Sequence, residues 1–165
     1  MRHGTLRTIA YFPLQVETGV ARVRLMHMKT QRERVSYALA RRNTLESMRG
    51  PESVMLPDPC DAQPLLVTSA LNHGDEAEEP CPVCASDHLL ILRYVFGDQL
   101  GQFSGQIKSL AELAEMETQF GEFKVRVVEV CPDCKWNFMI ESFSLGDGIK
   151  RRPPRRQQTV EDIYG

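Results

Sequence analysis

Apolar and polar positions alternate most cleanly after residue 122, where Phe123, Val125 and Val127 face one side of an extended chain and Val128 and Val130 the other, so a strand is expected up to residue 130. A second strand is expected over residues 88–96, His-Leu-Leu-Ile-Leu-Arg-Tyr-Val-Phe, a run rich in apolar, β-branched and aromatic side chains. Trp136, Phe138 and Ile140 alternate as a third, although Trp136, Met139, Ile140 and Phe143 also fit a helical stripe. The strand is preferred, because a hairpin then accounts for both C-terminal runs. Helical spacing appears three times. Ser109-x-x-Glu112 is a capping box ahead of Leu110, Leu113, Ala114, Glu117 and Phe120, and Gly121 stops the helix. Thr30-x-x-Glu33 has the same form and predicts a helix to about Arg49, closed by Gly50-Pro51, with Val35, Ala38, Leu39, Arg42 and Leu45 near one stripe. Asp61 is placed to cap a helix through Leu65-Leu66-Val67 and Ala70-Leu71 to His73-Gly74, with Pro64 tolerated in its first turn.

The strand pattern acquires a chemistry from the cysteines between its runs. Cys81-Pro-Val-Cys84 precedes the 88–96 strand, and Cys131-Pro-Asp-Cys134 joins the two strands of the hairpin, with 46 residues between the two pairs by subtraction. Two C-x-x-C pairs supply the four thiolates of a tetrahedral zinc site, with zinc–sulfur distances near 2.3 Å. Both pairs resemble the knuckles of zinc ribbons and rubredoxin-like sites, with Ala85 and Lys135 where a glycine commonly follows. That departure weakens the comparison with iron-binding rubredoxins, and Zn2+ is the expected ion. The predicted fold is therefore α+β: a small zinc ribbon over residues 81–145, made of antiparallel strands with two C-x-x-C knuckles and one inserted helix. A basic helical segment, residues 28–74, and an acidic linker, residues 75–80, precede it. Residues 146–165 are expected to be a disordered basic tail, and residues 1–27 an N-terminal extension without a fold of its own, with translation starting at Met26 or Met28. Structural zinc in finger peptides contributes about 10–16 kcal/mol apparent, against about 3–5 from a core of this size. Metal should decide whether the ribbon folds.

The chain has 165 residues, 42% of them hydrophobic and 25% charged, enough for one domain or one domain with appendages. No apolar run approaches the roughly 18 residues of a membrane span, and the first 25 residues lack the layout of a secretory signal. A cytoplasmic location is expected, where a reducing pool favours metal over disulfides. Cys60 is left over as a fifth cysteine, a buried or free thiol on the plain reading and a redox-sensitive nucleophile on the sharper one. The net charge of −2 conceals an uneven distribution. Residues 1–49 hold ten Lys/Arg against three Asp/Glu, residues 50–149 five against seventeen, and residues 150–165 five against two. The acidic middle repels a phosphate backbone, so nucleic acid could be met only through the basic helix and tail. Arg34, Arg41, Arg42, Arg151, Arg152, Arg155 and Arg156 are the candidate contacts with a partner protein or nucleic acid.

Catalytic readings gain little. A thioredoxin-type pair must open a helix after a strand; Cys131/Cys134 alone could qualify, and the twin pair would then be unexplained. A zinc deaminase needs H-x-E ahead of P-C-x-x-C. Pro80-Cys81-Pro82-Val83-Cys84 matches the second half, but His73-Gly74-Asp75 has Asp for Glu and lies too close. His73 and His88 are ordinary turn or polar residues before they are substitute ligands. No phosphate-binding loop, dinucleotide fingerprint or serine-hydrolase elbow occurs.

The blocks Val35-Ser-Tyr-Ala-Leu-Ala-Arg-Arg42, Cys60-Asp-Ala62, Cys81-Pro-Val-Cys84, Tyr94-Val-Phe-Gly97, Val127-Val-Glu-Val-Cys131 and Cys134-x-Trp136-Asn137 together resemble a family of small uncharacterised actinobacterial proteins. The resemblance spans roughly residues 30–146 and rests on the order of the blocks. It implies a start close to the basic helix, gives Cys60 a place in a matching block, and implies no activity. The expected function is a non-enzymatic structural-zinc module acting as an adaptor on a protein partner, with the transcription or translation machinery as a setting by analogy. The alternative is a thiol-disulfide redox protein using a C-x-x-C pair.

Overall fold

A computed structural model describes residues 28–50 and 58–152. The extension at 1–27, part of the proline-rich connector, and the tail from residue 153, with Arg155 and Arg156, lie outside the described residues. The protein is a mixed α+β fold around one antiparallel sheet. Its elements are β1 (Arg32–Ser36), α1 (Ala38–Arg49), α2 (Pro64–His73), β2 (Asp75–Glu76), β3 (Leu90–Phe96), a 3-10 stretch (Asp98–Phe103), α3 (Leu110–Gln119), β4 (Phe123–Val130) and β5 (Asn137–Leu145). The sheet order is β1-β5-β4-β3-β2, with every neighbour antiparallel.

The three central strands are those read from the sequence; β3 and β4 bury the faces that their alternation assigns, whereas in β5 Phe138 and Ile140 are half-buried and the buried apolar residues are Phe143 and Leu145. Ile91 and Val95 of β3 meet Phe123, Val125 and Val127 of β4 and Phe143 and Leu145 of β5 on one side, where Leu113 and Met116 of α3 and Leu100 cover them. Leu92 and Val130 face the other side, against Ala62 and the α2 residues Val67 and Ala70. Helices cover both faces of β3, which explains why its sequence is nearly continuous in apolar residues. A fully buried Leu or Val contributes about 1.5–3 kcal/mol, so the two layers fix the register of the sheet.

α3 starts as its capping box predicts: Ser109 Oγ accepts from the Glu112 amide, and a Glu112 carboxylate oxygen accepts from the Ser109 amide at 2.8 Å. That amide, with Lys108 beside it, holds the Glu112 carboxyl down to about 2. A carboxyl depressed in the folded state stabilises fully above its ordinary pKa, near 4.5, and loses that contribution as pH falls towards 2. Urea denaturation should find Glu112→Gln less stable than wild type at neutral pH by up to about 1 kcal/mol, with the difference closing as pH falls below about 4. A gap unchanged at pH 2 would refute the assignment.

The N-terminal half departs from expectation. Thr30 and Glu33 do not cap a helix: Thr30 Oγ1 accepts from the Gly146 amide at 3.0 Å, and Glu33 accepts from Ser144 Oγ at 2.9 Å. They tether an edge strand, β1, to β5, and the helix begins only at Ala38. The sheet therefore takes both its edges, β1 and β2, from residues ahead of position 81. Asp75-Glu76, expected within a solvated linker, pairs with Leu90-Ile91. Asp61 leaves the capping of α2 to backbone alone and accepts instead from Asn137 Nδ2 at 3.0 Å. The register of β4 and β5 slips between Val127 and Val128, so Ile140 is the extra residue of a bulge. Its carbonyl accepts from the Tyr37 amide at 3.0 Å, which seats the start of α1 on the sheet.

The chain beyond β5 also stays on the fold for several residues. The Gly148 amide donates to the Gly121 carbonyl at 2.6 Å, and the Arg151 amide to Gln99 at 2.8 Å. A side chain at Gly121 would collide with the Ile149 carbonyl, so glycine there permits the backbone contact, while α3 itself ends earlier, at Gln119, with extended Phe120 as its cap. The tail expected from residue 146 is thus held down as far as Arg151. Among the described residues, no helix is long and apolar enough to cross a membrane.

Candidate metal centre

The antiparallel register that joins Leu90 to Val130 dictates where the cysteines meet. β3 begins where β4 ends, so the turn before β3 and the turn after β4 project from the same end of the sheet. Cys81, Cys84, Cys131 and Cys134 gather there, with their four Sγ atoms all within 4.8 Å of one another. Cys81 and Cys134 lie 3.5 Å apart, and Cys84 and Cys131 3.7 Å. A tetrahedron of sulfurs about 2.3 Å from a central ion has edges of about 3.8 Å. The four cysteines fit such an ion and can hold it.

The two turns are local copies of one another. The Cys81 carbonyl accepts from the Ala85 amide at 2.9 Å and the Cys81 amide donates to the Ser86 carbonyl at 2.8 Å; Cys131 makes the same pair of bonds with Lys135 and Trp136, at 3.0 and 2.9 Å. Amides within and after each turn point at sulfur: those of Val83 and Cys84 at Cys81, that of Ser86 at Cys84, and that of Trp136 at Cys134. Such donors stabilise thiolate. Burial works against it, pushing the Cys81 thiol up and the Cys134 thiol up to about 12, while the Ser86 amide draws exposed Cys84 below the ordinary thiol value. A cation at the centre offsets the burial cost directly.

Each turn ends in the left-handed region, with φ 58° at Ala85 and 67° at Lys135. Those are the positions where the knuckle pattern favours glycine, and the structure keeps the backbone shape without it. Holding an L-residue there costs roughly 1–2 kcal/mol, partly offset because glycine loses about 0.4–1 kcal/mol more on folding. Ala85→Gly should therefore stabilise by about 0.5–1 kcal/mol in denaturant titrations. A destabilised variant would contradict the strain.

The site's surroundings bind it to the rest of the fold. Ser86 of the first turn donates to Asp133 of the second, and His88 Nδ1 lies 3.1 Å from the same carboxylate oxygen. That hydroxyl, then His88, draws the Asp133 carboxyl below its usual range. Trp136 is fully buried, stacks on Phe138 with ring centroids 5.7 Å apart, and packs with Cys81, Cys131, Leu89 and the α1 residues Leu45 and Met48. Its indole Nε1 donates to Glu129 Oε1 at 2.7 Å, and the Arg41 guanidinium donates to the same oxygen at 2.6 Å. Glu129 is wholly buried. The pair Arg41–Glu129 thus pins α1 to the sheet beside the cysteines, a role that the sequence did not disclose because 88 residues separate the partners.

The basic residues expected at a partner surface are dispersed. Arg34 pairs with buried Glu141, and Arg41 is spent inside. Arg42 is exposed beside Glu46, and Arg151 is bound by Asp147 at 2.5 Å. Arg152 is described and exposed, at the last position before the undescribed tail. His73 stands at the end of α2, and His88 contacts Asp133 beside the tetrad without joining it. Cys60, whose place was open, packs against the cluster. Both C-x-x-C pairs lie in turns between strands, whereas a thioredoxin-type pair opens a helix.

Comparison with known proteins places the chain in a family. The model of the family of unknown function DUF5318 matches residues 28–159, and the chain belongs to that family. An uncharacterized protein of Mycobacterium bovis and one of Mycobacterium tuberculosis are each 40% identical to it over 122 residues, 73% of this chain and 88% of the relative. No solved structure matches the chain.

Proposed function

We propose that this member of the DUF5318 family is a structural-zinc module that works by docking on another protein. The observation that carries the zinc reading is the closed set of four sulfurs, presented by two turns of matching hydrogen-bond pattern at one end of a sheet. Four thiolates suit zinc or iron and leave no open coordination position for substrate. Zinc is preferred because Ala85 and Lys135 depart from the rubredoxin pattern. X-ray absorption at the zinc edge should show four sulfurs near 2.3 Å; iron in the protein, or an oxygen-containing shell around zinc, would contradict the reading.

A protein partner is favoured over nucleic acid by the surface. Leu65 and Leu71 of α2 are 78% and 64% exposed, and Leu39 of α1 is 62% exposed, on a chain whose middle is strongly acidic. Arg34 and Arg41, which would have met phosphate, are neutralised by Glu141 and Glu129. A ribbon serving the transcription or translation machinery is a setting suggested by analogy alone. Cross-linking in the native cell, followed by mass spectrometry, should recover a protein partner despite nuclease, and Leu65→Glu with Leu71→Glu should reduce recovery. Recovery abolished by nuclease would overturn the protein-docking reading.

A further inference from the structure

We propose that the partner docks in the groove between α2 and residues 105–107, and that the groove takes an acidic segment of that protein bearing one large apolar side chain. The inference rests on the protein-docking reading above and gives it a place and a chemistry. The groove is a cavity of about 590 Å³, lined by Leu66, Ser69 and His73 of α2, by Tyr94 of β3 and by Gln106 and Ile107. Binding cavities commonly measure about 300–1,000 Å³. Its shape follows from the backbone. The Gly105 amide donates to the Val95 carbonyl at 2.7 Å, the Val95 amide to the Gln106 carbonyl at 3.0 Å, and the Lys108 amide to the Arg93 carbonyl at 2.9 Å. Tyr94 and Ile107 are thereby paired across the two segments, with their side chains on the sheet face that α2 covers. Leu65, Ser69 and His73 recur one turn apart along α2, and the small Ser69 leaves room between the two larger side chains. Gly105, with φ 86°, has open space where a side chain would stand, so the lip is uncovered.

Charge selects the occupant. Residues 50–149 hold five Lys/Arg against seventeen Asp/Glu. Arg93 is paired with Asp75, Lys108 with Glu112, and the Lys135 ammonium donates to the Pro132 carbonyl. Lys124 and Arg126 are exposed and form no salt bridge among the described residues. They stand two residues apart on β4, across from Phe96 and Tyr94, on the same sheet face as the groove. Tyr94 stacks with Phe96 at 6.4 Å between ring centroids, and the Arg126 guanidinium lies 4.8 Å from the Phe96 centroid. The groove therefore continues through Tyr94 into a patch of positive charge, and none of the residues lining it is acidic. An apolar side chain meets Leu66, Tyr94 and Ile107 inside, and carboxylates beside it meet the two cations that no acid of the fold has taken. Single-stranded nucleic acid fits less well, because stacking needs an open ring face and Arg126 lies over that of Phe96.

The test presents the full chain, with its metal, as bait to a random peptide library displayed on phage. The expected result is enrichment of peptides in which Asp or Glu flanks Leu, Phe or Trp. A synthetic copy of the leading peptide should bind more weakly as salt rises. Its Kd should increase about tenfold with Lys124→Glu/Arg126→Glu and with Ser69→Trp, which fills the groove. The two charge reversals lie at exposed positions, so they decide the matter even if Ser69→Trp folds poorly. No enrichment on wild type beyond that on the charge-reversed bait, or equal affinity for wild type and both variants, would overturn the inference. Oligouridine bound by wild type and lost from the same variants would overturn it in favour of nucleic acid. Cellular cross-links that depend on Leu65 and Leu71 but not on Ser69, Lys124 or Arg126 would overturn it and leave the docking reading standing. No cross-linked protein at all would remove both.

Discussion

Cys131→Ser is expected to abolish cooperative folding at physiological temperature. Cys131 is fully buried, its sulfur is one of the four that can hold the ion, and its backbone carries both hydrogen bonds of the second turn. Structural zinc contributes about 10–16 kcal/mol apparent, as much as the whole net stability of an ordinary domain at about 5–15 kcal/mol. Serine is a poor zinc ligand and leaves three thiolates around a weakened centre. The loss reaches beyond the turns, because Trp136, Leu89 and α1 pack on the cysteines. Thermal denaturation followed by circular dichroism should show no cooperative transition in the variant, and chelation of wild type should reproduce that state. A variant melting within about 5 °C of wild type, a change of roughly 1 kcal/mol in a domain of this size, would mean that the two apolar layers around β3 suffice without metal.

Removal of the Arg41 guanidinium is the second large effect. Arg41→Ala leaves Glu129, wholly buried, with a carboxylate that keeps only the Trp136 indole as donor, since Oε2 has no partner among the described residues. Breaking one side of a buried pair costs about 3–5 kcal/mol. Glu129→Leu should be damaging in the same range, because it strands the Arg41 charge and the indole N–H. The double variant Arg41→Met/Glu129→Leu should recover most of the loss, as apolar replacements of a buried pair commonly do. Urea denaturation of the four proteins measures the cycle. Additive losses would show that the two residues act separately. A stable Arg41→Ala that failed only in partner binding would return Arg41 to the surface role its sequence context suggested.

Local pattern disclosed β3, β4, β5 and α3 because each writes its burial into its own residues. Leu90–Phe96 is apolar since helices cover both faces, and Phe123–Val130 alternates since one face is deeper than the other. The cysteine pairs were legible for the same reason: their spacing is local, and the register Leu90↔Val130 that unites them follows from the hairpin. β1 was hidden because all five of its residues are exposed, so no alternation marks it. Thr30 and Glu33 have the chemistry of a helix cap, and only the nearby β5 makes them a tether instead. The pairing of Arg41 with Glu129 stayed hidden for the same reason. A basic helix looks solvated until an acidic residue 88 positions away is found beneath it. Glu129 itself lay in the strand pattern as an apparent polar interruption, and a buried carboxylate next to a tryptophan two residues past a knuckle is the signal that could have exposed the network.

Native mass spectrometry of the full chain, purified under reductant and recorded beside Cys131→Ser, tests the metal centre most directly. The account predicts one zinc ion per wild-type chain in a compact charge-state distribution, and no zinc with an unfolded distribution in the variant. A compact wild-type chain that carries no metal would contradict it.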